Sequence, residues 1–192
     1  KNSGEEVIIV SSGAIGMGAA KLSLQGKPSD IATKQAAAAV GQCDLMSIYD
    51  RNFAEYGYVS AQILLNRDVI EFDDRKTNII NTFRALLDFG AIPIVNENDS
   101  ISTEEILFGD NDNLSAIVAN LANASLLIIL TDIDGLYTAN PREDKTAKKI
   151  GIITLNSFFN IFNRRNHIKF VLCSCKRHIK QSQFFFKGSF LN

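Results

Sequence analysis

The chain has 192 residues, 46% hydrophobic and 21% charged, which suits one sizeable core in a soluble globular protein. No apolar stretch reaches the roughly 18–20 residues needed to span a bilayer, so a membrane is not an expected partner. Three cysteines, an odd number, do not build a disulfide framework, so a reducing cytoplasm is the expected location.

The polar start, Lys1–Glu6, shows no signal peptide and runs straight into Glu6–Val10, a short β-branched run typical of a buried parallel strand. Ser11-Ser12-Gly13-Ala14-Ile15-Gly16 follows as a small-residue turn leading into a helix. Residues Ile31 to Tyr56 combine Ala36–Ala39 with apolar positions Val40, Leu45, Ile48, Tyr49 and Phe53, which predicts a helix with Cys43 in the core. Val59–Leu65 reads as a strand. Phe72 to Phe89 reads as a helix with Asp73 or Asp74 near its start and Gly90 past its end. Ala91–Val95 is the next strand, Ser100–Phe108 a hairpin or excursion, and Asn111 or Asp112 can cap a helix reaching Asn123. Leu126–Leu130 is the most apolar strand of all.

Beyond Gly151 the composition changes. Before it, thirteen Lys and Arg face all 21 acidic residues, a net of −8; after it stand seven Lys and Arg, no acid, and eight of the 13 phenylalanines. The phenylalanines clump, as in Phe184-Phe185-Phe186, without an RNA-recognition signature, so nucleic acid is not an expected partner. His167 and His178 lack metal-ligand spacing and Cys173-Ser174-Cys175 is not a CxxC site, so no metal site is expected from them.

Alternating strands and helices with short connections predict an α/β fold, a mostly parallel sheet covered on both faces. Ligands of such sheets bind outside the carboxyl ends of the strands. Three polar turns fall there: Ser11-Ser12-Gly13, Asn96-Glu97-Asn98-Asp99 and Thr131-Asp132-Ile133-Asp134-Gly135. Gly109-Asp110-Asn111-Asp112 joins them at a helix start. The serine turn is equally a tight connection or an anion cradle at a helix N-terminus. Neither a P-loop nor a GxGxxG fingerprint is present. Asn111 or Asp112 alone would be a cap, yet six carboxylates and carboxamides exceed what one cap and two turns require. Such groups suit a substrate bearing an ammonium, or hold a lysine or metal in a phosphoryl-transfer site.

Val10–Gly16, Lys34–Gln42, Pro93–Asp99, Phe108–Asp112 and Leu130–Tyr137 occur in an order that resembles the glutamate 5-kinase family (γ-glutamyl kinases) of the amino acid kinase superfamily. The resemblance covers about residues 7–150. It implies a three-layer sandwich and ATP- and Mg²⁺-dependent phosphorylation of the L-glutamate side-chain carboxyl, the first step of proline synthesis. It also implies a homo-oligomer. By the same resemblance Ser12, Asp99 and Asn111 match glutamate-binding positions, Thr131 and Asp132 nucleotide-binding positions, and Asp112 an aspartate that organises the catalytic lysines. Family members also carry a Lys-x-Gly strand and a Gly-Gly-Met-x-Thr-Lys loop that have no match here. The expectation is therefore an incomplete kinase domain over 1–150, lacking the first strand and the C-terminal nucleotide-binding part. Residues 151–192 are expected to be an atypical basic, Phe-rich tail, of the composition a change of reading frame would leave. Another amino acid kinase, such as an acetylglutamate kinase or aspartokinase, and a binding module without turnover are the rival readings.

Overall fold

The computed structural model describes residues 4–26, 28–101, 111–130, 138, 144–149 and 171–174. The expected turn Thr131–Gly135, the segment 102–110 and both histidines lie outside the described residues. The elements are β1 (Ile8–Val10), α1 (Ala14–Lys21), α2 (Ile31–Ala54), β2 (Ser60–Leu65), a 3-10 turn (Arg67–Ile70), α3 (Asp73–Asp88), β3 (Ile92–Glu97), α4 (Asn111–Leu121), β4 (Leu127–Leu130) and β5 (Val171–Ser174).

Among the described residues five strands form one sheet in the order β2-β3-β1-β5-β4, with every neighbouring pair parallel. The expected α/β class is therefore borne out. Side chains alternate across the sheet with period two, and each face has its own core. On one face Ile8, Val10, Ile63, Leu65 and Val95 pack with Ile79 and Phe83 of α3 and Leu114 and Val118 of α4. On the other, Ile9, Ile92 and Ile94 pack with Ala14 of α1 and Leu45, Tyr49 and Phe53 of α2. Burial on both sides explains why β1 and the start of β3 are continuous apolar runs rather than alternating ones.

α2 begins at Asp30, whose carboxylate accepts the Thr33 N–H at 2.8 Å, a standard N-cap. Its buried stripe runs Ala37, Ala38, Gly41, Gln42, Leu45, Tyr49, Phe53. Cys43 falls about 100° around the helix from Gln42 and is exposed, correcting the expectation that it sits in the core.

α1 and α2 cross at backbone contact. A Cβ on Gly18 would lie 2.6 Å from the Ala37 carbonyl carbon, and closer still to its oxygen; one on Gly41 would lie 2.8 Å from the Ala14 carbonyl carbon. Only glycine at both positions permits this approach.

The most apolar run is not the most buried. β3 is buried throughout, whereas β4 ends the sheet order and leaves Ile128 and Leu130 exposed. β5 is not among the expected elements: Val171–Ser174, from within the basic tail, pairs with β1 on one side and β4 on the other.

Candidate active site

The chain lays β1, then β2 and β3 to one side of it, then β4 to the other. The order thus reverses at β1, and the crevice at its carboxyl end is the place where such sheets bind ligands. β1 stops at Val10, and Ser11 stays bound to the neighbouring strand by its N–H to the Val95 carbonyl, at 2.8 Å. Gly13, at φ 108°, then turns the chain into α1, with the Met17 N–H on its carbonyl. This left-handed conformation is why the turn needs glycine. The result aims the N-terminal end of α1, with its partial positive charge, at the crevice.

β3 delivers the second polar segment. Asn96 and Glu97 are not loop residues but the last two buried positions of the strand, at 2% and 4% exposure. Asn98 remains tied to β2 by its N–H to the Leu65 carbonyl at 3.0 Å, and Asp99, half-buried, sits in the turn closed by Ile101 N–H to Asn98 O.

α4 supplies the third. Asn111 and Asp112 form its first turn, with Asn111 buried and Asp112 half-buried. Neither is the cap expected from the sequence, because both already lie inside the helix. The Asn111 amide is committed elsewhere: its Nδ2 donates to the Ser11 carbonyl at 2.7 Å and, more weakly, to Asn96 Oδ1 at 3.4 Å. That bond spans 100 residues of chain and draws the start of α4 against the end of β1.

Behind these lies a buried polar relay. Asn96 Oδ1 accepts the Glu97 N–H at 2.9 Å, and Asn96 Nδ2 donates to Gln42 Oε1 at 2.9 Å. The Tyr49 hydroxyl donates to Ser11 Oγ at 3.0 Å, and the Ser115 hydroxyl donates to the Asp112 carbonyl at 2.6 Å. Gln42 Nε2 is buried without an acceptor among the described residues, a situation that costs about 1–3 kcal/mol if nothing else satisfies it.

The structure therefore gathers the neighbourhoods of Ser12, Asp99, Asn111 and Asp112 at one end of the sheet. Thr131 and Asp132 lie outside the described residues, immediately after β4. Gln42 and Tyr49 were given no site role from the sequence, and Ser11 was read only as part of the serine turn. The available signal was a glutamine and a tyrosine on the buried stripe of a helix otherwise lined there by Ala, Gly, Leu and Phe. Among the described residues no three His, Cys, Asp or Glu side chains cluster as a metal cage.

Fold and site together define a class: an α/β protein with a cluster of carboxamides and carboxylates at the switch point of a parallel sheet. The chain belongs to the amino acid kinase family, whose model matches residues 1–170. It is 58% identical over 153 residues to the glutamate 5-kinase of Clostridium perfringens, covering 78% of this chain and 57% of that protein. It is 57% identical over 152 residues to the glutamate 5-kinase of Clostridium acetobutylicum, covering 79% and 57%. With the glutamate 5-kinase of Listeria welshimeri the identity is 54% over 151 residues, covering 77% and 55%. The chain thus spans somewhat over half the length of these relatives.

Proposed function

We propose that this chain carries the glutamate pocket of a glutamate 5-kinase, which phosphorylates the side-chain carboxyl of L-glutamate with ATP to give L-glutamyl 5-phosphate for proline synthesis. The observation that carries the reading is the Asn111 bond to the Ser11 carbonyl. It brings the polar ends of β1, β3 and α4 into one pocket, where an amino acid can meet a carboxylate, an amide and helix-terminal N–H groups at once. In this reading Asp99 pairs with the substrate ammonium, Asn111 and Ser12 hold its oxygens and nitrogen by hydrogen bonds, and Asp112 faces the reacting end. Thr131 and Asp132, next along the chain from β4, bind nucleotide. Phosphoryl transfer asks mainly for in-line positioning and charge neutralisation, so a preformed polar pocket is the part of the machinery this fold can supply. ATP with Mg²⁺ is the phosphoryl donor, and a cytoplasmic homo-oligomer is the working form.

The test is calorimetric titration of the chain with L-glutamate, N-acetylglutamate and L-aspartate, together with ADP release for each in the presence of ATP and Mg²⁺. Glutamate should bind in preference to the other two, and Asp99→Asn should weaken it by about tenfold or more through loss of the charge pair. Binding of only N-acetylglutamate or aspartate would assign the chain to another amino acid kinase. Glutamate binding without ADP release would assign the pocket while making this polypeptide a binding module.

A further inference from the structure

We propose that Gln42 contacts the substrate directly, its Nε2 donating a hydrogen bond to one carboxylate oxygen of the bound amino acid. The inference rests on the glutamate reading above and adds to the pocket a residue from the middle of α2. Its basis is the orientation of three amides, set by two backbone groups whose polarity cannot reverse. The Glu97 N–H can only donate, so the Asn96 atom 2.9 Å from it is Oδ1. The Ser11 carbonyl can only accept, so the Asn111 atom 2.7 Å from it is Nδ2. With its oxygen fixed, Asn96 turns Nδ2 toward Gln42, and the atom that receives it at 2.9 Å is Oε1. Flipping the Gln42 amide would set two donors against each other. Nε2 is therefore the far end of the relay.

That end is a buried two-proton donor with no acceptor among the described residues, on a side chain only 8% exposed. An NH₂ group desolvated and left unbonded carries its full desolvation penalty, so it marks a place where an acceptor arrives. The relay ties it to the carboxyl ends of β1 and β3, beside the N-terminus of α1, where the local field favours an anion. A carboxylate oxygen answers both conditions and gives a charge-assisted bond, stronger than one to a neutral acceptor.

Gln42→Glu is the discriminating variant. It keeps an oxygen for Asn96 Nδ2 and replaces the donor with a second oxygen. Titrated at neutral pH, the variant should bind L-glutamate about tenfold or more weakly than the unmodified chain. It should also gain ground for whichever of L-glutamine or L-isoglutamine presents an NH₂ where glutamate presents the contacted carboxylate. Lowering the pH should recover part of the glutamate affinity as the introduced carboxyl takes up a proton and becomes a donor. Gln42→Met, which removes both polar ends, should lose glutamate affinity without changing the ranking of the two amides, and thermal melting without ligand identifies any variant that has not folded. An unchanged glutamate affinity in Gln42→Glu, or equal losses for all three ligands in a folded protein, overturns the inference, as it would if a water satisfied Nε2. Absence of glutamate binding by the unmodified chain overturns the functional reading and this inference with it. Glutamate binding with an unaltered ranking overturns this inference alone.

Discussion

Replacing Gly41 by alanine sets two opposed effects against each other in a way the structure resolves. Alanine is favoured over glycine inside a helix by about 1 kcal/mol, so on propensity alone α2 should gain. The new methyl, however, would lie 2.8 Å from the Ala14 carbonyl carbon, where carbon atoms ordinarily rest about 3.5–4.0 Å apart. The obstructing atoms are backbone, so no rotamer change relieves the overlap; α1 and α2 must move apart by about 1 Å, a gap that forfeits a quarter to a half of each dispersion well along the crossing. Overpacking of this kind costs about 1–3 kcal/mol, and a backbone-to-backbone clash belongs at the upper end. The net expectation is a loss of about 2 kcal/mol, a fall in melting temperature of roughly 4–8 °C for a chain of this size. Gly16→Ala is the matched control: Gly16 lies in α1, is exposed, and a Cβ there meets nothing within 4 Å, so the propensity gain should appear undiminished. Thermal unfolding followed by circular dichroism decides the matter. A Gly41→Ala chain as stable as the unmodified one, or both variants shifting in the same direction, would refute the reasoning. Because α1 starts at the serine turn, Gly41→Ala should also weaken ligand binding.

Two further expectations concern single hydrogen bonds. Tyr49→Phe keeps the stacking on Phe53, whose ring lies 6.1 Å away, but removes the hydroxyl that donates to Ser11 Oγ. It should cost about 1–2 kcal/mol in urea unfolding, and a double-mutant cycle with Ser11→Ala should recover most of that as coupling energy. The Thr33 N–H bonded to Asp30 holds that carboxyl below the usual carboxylate range. Its stabilising contribution is present above the unfolded-state pKa and disappears as pH falls through the lower folded value, so Asp30→Asn, which caps without titrating, should flatten the acid limb of a melting-temperature curve below about pH 4.

The fold was largely legible because most elements obey one rule at a time. Val7–Val10 and Ala91–Val95 are apolar without interruption, and both become inner strands covered on two faces. Asp73 and Asp74 lie in the first turn of α3, and Gly90, at φ 73°, follows its end, as their residue types suggested. Two features escaped. β5 has four residues and no periodicity to announce it, and its place between β1 and β4 is decided by pairing across more than 40 residues of chain from β4 and 160 from β1. The interior of the site escaped because sequence spacing shows which polar groups gather but not which way their amides face. Asn96 looked like a loop residue within Asn96–Asp99; its burial in β3 is what turns it from a rim group into the centre of the relay.

That relay explains why the cluster is rich in carboxamides. Among the described residues Glu97 is the one buried carboxylate, while Asp99 and Asp112 are half-buried and the deeper positions belong to Asn96, Asn111 and Gln42. A second and third buried charge would carry several kcal/mol of desolvation each, recovered only by an opposite charge in good geometry. Neutral amides avoid that cost, yet each still presents one donor end and one acceptor end. Left to themselves, amides flip, and a pocket built from them would present a mixture of faces to its ligand. Here the Ser11 carbonyl at one end of the chain of bonds and the Glu97 N–H on its middle amide, groups whose polarity cannot reverse, impose one orientation on all three. The polarity of each amide is thus fixed in the interior with Glu97 as the one buried carboxylate beside them, and Asp99 and Asp112 stand at the margin.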